Sequence, residues 1–121
     1  MYKYYFEKLE VWQLAIDFSL VVYELTQKFP SEEKFGLVSQ LRRASVSVPT
    51  NIAEGISRTT AKDQARFSTI AYGSLMEVVS LLIISEKLGF INAQEYTKAR
   101  KQISEISNKL NALKNSQIKR K

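Results

Sequence analysis

Arg42, Arg43, Asn51, Glu54 and Arg58 fall close together in this 121-residue chain, and they are the side chains whose types and spacing could do chemistry. At helical spacing, Asn51, Glu54 and Arg58 share one side of a helix. Gln40, Arg42 and Arg43 precede them, with Pro49 between the two groups. Two chemistries fit this cluster. A guanidinium patch would take phosphates, because the planar fork of Arg meets two phosphate oxygens at once. Alternatively, Glu54 pairs with Arg58 or with Arg66, and the cluster is an internal network that fixes helix register. The second reading asks for less and is preferred.

Catalysis has little to draw on. The chain contains neither His nor Cys, which removes Ser-His and Cys-His nucleophiles, ordinary zinc sites and the Glu-x-x-His ligands of a di-iron bundle. Glu54 and Glu77 could form a carboxylate pair, but nothing in the sequence places an acid beside a base. A non-enzymatic protein with no metal and no cofactor is expected.

Charge is distributed unevenly. Met1 to Glu95 holds 10 Lys or Arg against 11 Asp or Glu, a net of −1; Tyr96 to Lys121 holds 8 against Glu105 alone, a net of +7. Such a one-sided excess is an electrostatic footprint for polyanions, or else a solvated helix face with a Lys-rich end. Lys109, Lys114, Lys119 and Arg120 in this segment, with Arg42, Arg43, Arg58 and Arg66, are the candidate nucleic-acid-binding residues.

The elements that must position these residues are helices. The chain is a single domain, 1–121, with four Gly, two Pro and no linker. Leu9, Trp12, Ile16, Leu20 and Tyr23 form one apolar stripe of a helix over about 9–28, and Val11, Leu14, Phe18, Val22 and Leu25 form a second. Ser31 can cap a helix over about 32–57, with Phe35, Val38, Leu41, Val48, Ile52 and Ile56 inward. Pro49 lies inside it, which predicts a kink, with Ser45 helping to satisfy the freed carbonyl, or a break into two helices. Thr60 and Asp63 resemble a capping box for a third helix over about 61–88, which carries two apolar stripes; Gly89 reads as its C-terminal cap. Asn92 caps a fourth helix over about 93–115, with one seam of Tyr96, Ala99, Ile103, Ile106, Leu110 and Leu113, followed by a basic tail. Short connections then give an all-α, antiparallel up-down-up-down four-helix bundle.

The second stripes of helices one and three exceed what one bundle covers, so self-association into a homo-oligomer is expected. Tyr2, Tyr4, Tyr5 and Phe6 could stack on bases or staple an N-terminal arm to the core or to a neighbouring subunit; the staple is preferred. The longest near-apolar stretch, Leu75 to Ile84, is interrupted by Glu77 and Ser80. A membrane span needs about 20 apolar residues. No membrane association is expected, and the lack of Cys fits the cytoplasm.

The run FGLVSQLRRASVSVPTNIAEG, Phe35 to Gly55, strongly resembles the signature of the four-helix bundle proteins encoded in bacterial 23S rRNA intervening sequences. LEVWQLA, FSTIAYGSLMEV and EKLGFI resemble the same family, so the likeness spans nearly the whole chain. The resemblance implies a bundle that assembles as a homopentamer. It also implies kinship with the accessory protein of diversity-generating retroelements, whose members bind nucleic acid through a basic surface and bind a reverse transcriptase. The motif falls on Gln40, Leu41, Arg42, Arg43, Pro49, Asn51, Glu54 and Gly55 here, with Arg58 and Arg66 near the family's basic positions. Two functions follow as expectations: an oligomer that binds RNA, or DNA, through a basic surface, or an adaptor that presents a repeated surface to a partner protein.

Overall fold

The computed structural model describes residues 1–119. Four helices carry the fold: α1 (Glu10–Thr26), α2 (Leu37–Ile56), α3 (Ala61–Lys87) and α4 (Ala93–Lys119), with 3-10 turns at Tyr5–Lys8 and Ser31–Glu33. There is no strand among the described residues. Each helix packs on the next, and α4 closes back onto α1. Cross-helix contacts run in opposite order along neighbouring helices: Thr26 with Arg42 and Ser19 with Ser45 between α1 and α2, then Ser47 with Ser74 and Gly55 with Phe67 between α2 and α3, while Ser68 near the start of α3 meets Gln117 near the end of α4. The bundle is therefore antiparallel throughout. Its centre holds Phe18, Val22, Leu41, Ile52, Leu75, Leu82, Ile106 and Leu110, all fully buried.

Local chemistry sets the helix ends. The Thr60 hydroxyl accepts the Asp63 N–H at 3.1 Å and starts α3. At α4 the capping box is reciprocal: Asn92 Oδ1 accepts the Glu95 N–H at 2.8 Å, and Glu95 Oε1 accepts the Asn92 N–H at 2.9 Å. Past α3, Gly89 takes φ +79°, and the Phe90 N–H donates to Ser85 O at 2.9 Å while the Gly89 N–H donates to Glu86 O at 3.0 Å. That left-handed closure is open to glycine without steric penalty. Phe90 then meets Phe29, with ring centroids 5.4 Å apart, so the two loops at this end of the bundle are pinned together.

Two boundaries differ from the sequence reading. Ser31 opens only a 3-10 turn, and α2 begins at Leu37, whose N–H donates to Glu33 Oε1 at 3.3 Å. A carboxylate replaces the expected hydroxyl at the positive end of the helix. Phe35 consequently sits in the preceding turn, 89% exposed, rather than on the inner face. At the other extreme, α4 runs to Lys119 rather than ending near 115. Beyond half-buried Leu113 the seam continues to Gln117, only 2% exposed, whose Oε1 accepts the Ser68 hydroxyl proton at 2.7 Å. A polar side chain carries the seam one turn further than the apolar pattern extends.

α3 is long enough, and over an 18-residue window apolar enough, to cross a membrane. In the bundle, Phe67, Ala71, Leu75, Val78 and Leu82 on this helix are buried, and α2 and α4 flank it.

Candidate nucleic-acid interface

α2 runs unbroken through Pro49, so the alternative of a break into two helices does not occur. Proline has no N–H, which leaves the carbonyl four residues earlier, that of Ser45, without its helical donor. The expectation that the Ser45 side chain helps is not met: its hydroxyl donates to Arg42 O at 3.0 Å. The donor comes instead from α1, where the buried Ser19 hydroxyl lies 3.0 Å from Ser45 O. Ser19 is also 3.0 Å from Ala15 O, the ordinary backbone acceptor within its own helix, so one hydroxyl proton joins the two helices.

Arg42 lies on the same side of α2. Its guanidinium sits 4.6 Å above the Tyr23 ring, its Nε donates to Thr26 Oγ1 at 2.9 Å, and an Nη donates to Tyr23 O at 3.4 Å. A cation at the C-terminal end of α1 meets the exposed carbonyls and the negative end of the helix dipole. Arg42 thus clamps α1 to α2. Arg43 and Gln40 are exposed beside it.

On the opposite side of α2, the Asn51 amide donates to Ser47 O at 2.8 Å and to Ser47 Oγ at 2.9 Å, and Ser47 Oγ lies 2.9 Å from Ser74 Oγ on α3. Farther along, Gly55 permits a close approach of α2 to α3. A Cβ there would lie 2.7 Å from Phe67 Cβ and 3.4 Å from Gln64 O. Arg58 and Arg66 both stand over the Phe67 ring, at 4.6 Å and 5.5 Å from its centroid. Arg58 also faces Glu54 at 3.8 Å, an exposed and loose ion pair.

The expected cluster is therefore divided. Arg42 and Glu54 are twelve residues apart on one helix, about 18 Å at the rise of an α-helix. Arg42 and Arg43 belong to the end that holds the α1–α2 and α3–α4 loops. Arg58 and Arg66 belong to the other end, where α4 brings half-buried Lys114 and exposed Lys119. Exposed Lys62, which the sequence reading did not single out, lies at the same end and lines a shallow cavity with Gln117. Arg120 lies outside the described residues. Lys109 faces α1, where it pairs with Glu10; that hydrogen bond and the nearby carboxylate charge raise its pKa. At the other end of the bundle Lys28, just past α1, pairs with Glu95 on α4, and this contact, with the Asn92 N–H, holds the Glu95 carboxyl below its ordinary value. No group of three metal-ligating side chains occurs among the described residues.

Four helices in this register, with the Arg-Arg, Pro and Asn-x-x-Glu-Gly positions all on α2, can be compared with known proteins. The family model of the 23S rRNA-intervening sequence protein matches residues 7–112. The chain belongs to that family. The match spans α1 to α3 and most of α4, so it includes both the Arg42 clamp and the Gly55 contact. A crystal structure of a protein of unknown function from the S23 ribosomal protein family of Bacteroides thetaiotaomicron is similar in fold, with TM-score 0.77 and 19% identity over 85% of this chain and 96% of that one. No curated protein matches the chain.

Proposed function

We propose that this family member is a non-enzymatic, self-associating bundle, a homopentamer, that binds RNA through the basic end formed by Arg58, Lys62, Arg66, Lys114 and Lys119. The gathering of these cations at one end of the molecule is the observation that carries the reading. Self-association is supported by apolar side chains that stay in water after the bundle closes. Leu20 on α1 is 64% exposed and Leu88 after α3 is 55% exposed, with Val46 and Ile84 also outward. Large apolar side chains left outward on several helices of a small domain are surface that further copies of the chain would cover. Repetition of the basic end around a ring would multiply its phosphate contacts, and the cytoplasm is where such an RNA would be met.

Mass by light scattering, with and without nuclease, tests the assembly: the expected particle is five times the 13.9 kDa chain, and nuclease leaves that mass unchanged. Gel-shift titration against structured RNA tests the binding. Affinity should fall steeply with salt, because displaced counterions drive association. Replacing Arg66 by Ala should reduce the salt slope by about 1 per chain. No shift at low salt rejects RNA binding. A stoichiometric protein recovered from the native host in place of RNA would favour the second reading, an adaptor that uses the same outward apolar faces.

A further inference from the structure

The N-terminal arm contains four aromatic residues, and the structure gives them two different tasks. Phe6 packs edge-on against Trp12, with centroids 5.2 Å apart, and anchors the arm on α1. Tyr2, Tyr4 and Tyr5 remain in water; Tyr2 is 76% exposed. They are nonetheless held in place. The Tyr4 N–H donates to Glu7 Oε2 at 2.9 Å, and the Gln13 amide donates to Glu7 O at 2.8 Å, which fixes the 3-10 turn that carries them. Tyr2 meets Tyr4 edge-on at 5.2 Å, and Tyr4 lies parallel to Phe6 at 6.2 Å. The three tyrosines and Phe6 wall a cavity of about 520 Å³ whose other side is the end of α2, including Glu54 and Ser57. That volume is within the range of about 300–1,000 Å³ usual for small-molecule sites.

Resting on the RNA-binding reading above, we infer that this cavity takes an unpaired base of the bound strand, with guanine preferred. A fixed aromatic wall is a stacking platform for any base. Exposed Lys3 and Lys8 lie on the same N-terminal arm, and Arg58 pairs with Glu54 on the opposite wall, so cations are available to the phosphates on either side of a base. Glu54 supplies the discrimination. A carboxylate only accepts hydrogen bonds. Guanine turns two donors, N1–H and the 2-amino group, in one direction, whereas the corresponding edges of adenine, cytosine and uracil carry one donor each beside acceptors. The Arg58 contact, at 3.8 Å, engages one carboxylate oxygen, Oε2.

The test uses the full chain at low salt, with a short unstructured strand of about eight nucleotides and the same strand annealed to its complement. The expected result is that Tyr4→Ala with Tyr5→Ala lowers the single-strand affinity roughly tenfold relative to the duplex, with the particle mass unchanged by light scattering. GMP should compete better than AMP, and Glu54→Gln should bring the two to near parity. A tyrosine variant that binds both probes as the parent does overturns the base site while leaving RNA binding by the basic end intact. A tyrosine variant of lower mass assigns the cavity to subunit contact and also overturns it. If the parent protein binds neither probe, both this inference and the RNA reading fail.

Discussion

α2 has two seams, and they are built from different materials. Toward α1 the seam is polar and directional: the Ser19 hydroxyl meets the Ser45 carbonyl, and Arg42 reaches Thr26 and Tyr23. Toward α3 it is tight near its end, where Gly55 lets the backbone come against Phe67, with the Ser47–Ser74 contact farther back. The polar seam answers a need that Pro49 creates within α2. The tight seam brings Arg58 and Arg66 onto one ring. The first supports the fold, and the second assembles the candidate site.

Substitutions separate the two seams, and the largest effect is expected at Gly55. Gly55→Val forces α2 and α3 apart. Overpacking of a well-packed contact costs about 1–3 kcal/mol, read as a lower melting temperature, and RNA affinity should fall with it because the Arg58–Phe67–Arg66 group is dispersed. A Gly55→Val protein of parental stability would show that the tight seam is dispensable.

Ser19→Ala comes next. It leaves a buried carbonyl without a donor, at about 1–3 kcal/mol. The same change in a Pro49→Ala background, where residue 49 regains its N–H, should cost measurably less. Equal costs in the two backgrounds, measured by denaturant unfolding, would mean that Ser19 and Pro49 are not coupled. Arg42→Met should cost about 1 kcal/mol, from one charge-assisted bond and the ring contact, and should leave the salt slope of RNA binding where it was. A slope that fell as it does for Arg66→Ala would move Arg42 into the interface.

The smallest effect lies on neither seam of α2. Glu95, held below its ordinary pKa by Lys28, adds stability that is present above the ordinary carboxylate value near 4.5 and is lost as pH falls through its lowered value. The contact is partly exposed, so the contribution is at most about 1 kcal/mol. Glu95→Gln should therefore be slightly less stable than the parent at neutral pH and equal to it in strong acid. A difference that persists in acid would assign the effect to the capping box instead.

The sequence made the punctuation of the bundle legible because caps are local. Thr60 with Asp63, Asn92 with Glu95, and Gly89 each act within a few residues of themselves. The start of α2 was misplaced because Ser31 and Glu33 compete for the same task, and only the packed chain shows that the carboxylate takes it. Gln117 breaks the apolar pattern, so the pattern stops short of the end of α4; its partner, Ser68, lies 49 residues away. Pro49 announced a missing donor, but the compensating hydroxyl belongs to another helix, 26 residues from the carbonyl it serves. The candidate site was legible in kind but not in place. Spacing along α2 grouped Arg42 with Glu54, although the length of the helix sends them to opposite ends, and the ring that unites Arg58 with Arg66 belongs to α3.

The Ser19–Ser45 bond also bears on how the chain is born. α2 alone has a gap in its ladder that nothing within it can close, so it gains a complete set of backbone partners only against α1. Synthesis runs from the N-terminus, so α1 is made before the carbonyl of Ser45 and is already in place when α2 emerges. The first hairpin should therefore mature as one cooperative unit, with its slowest-exchanging amides shared between the two helices.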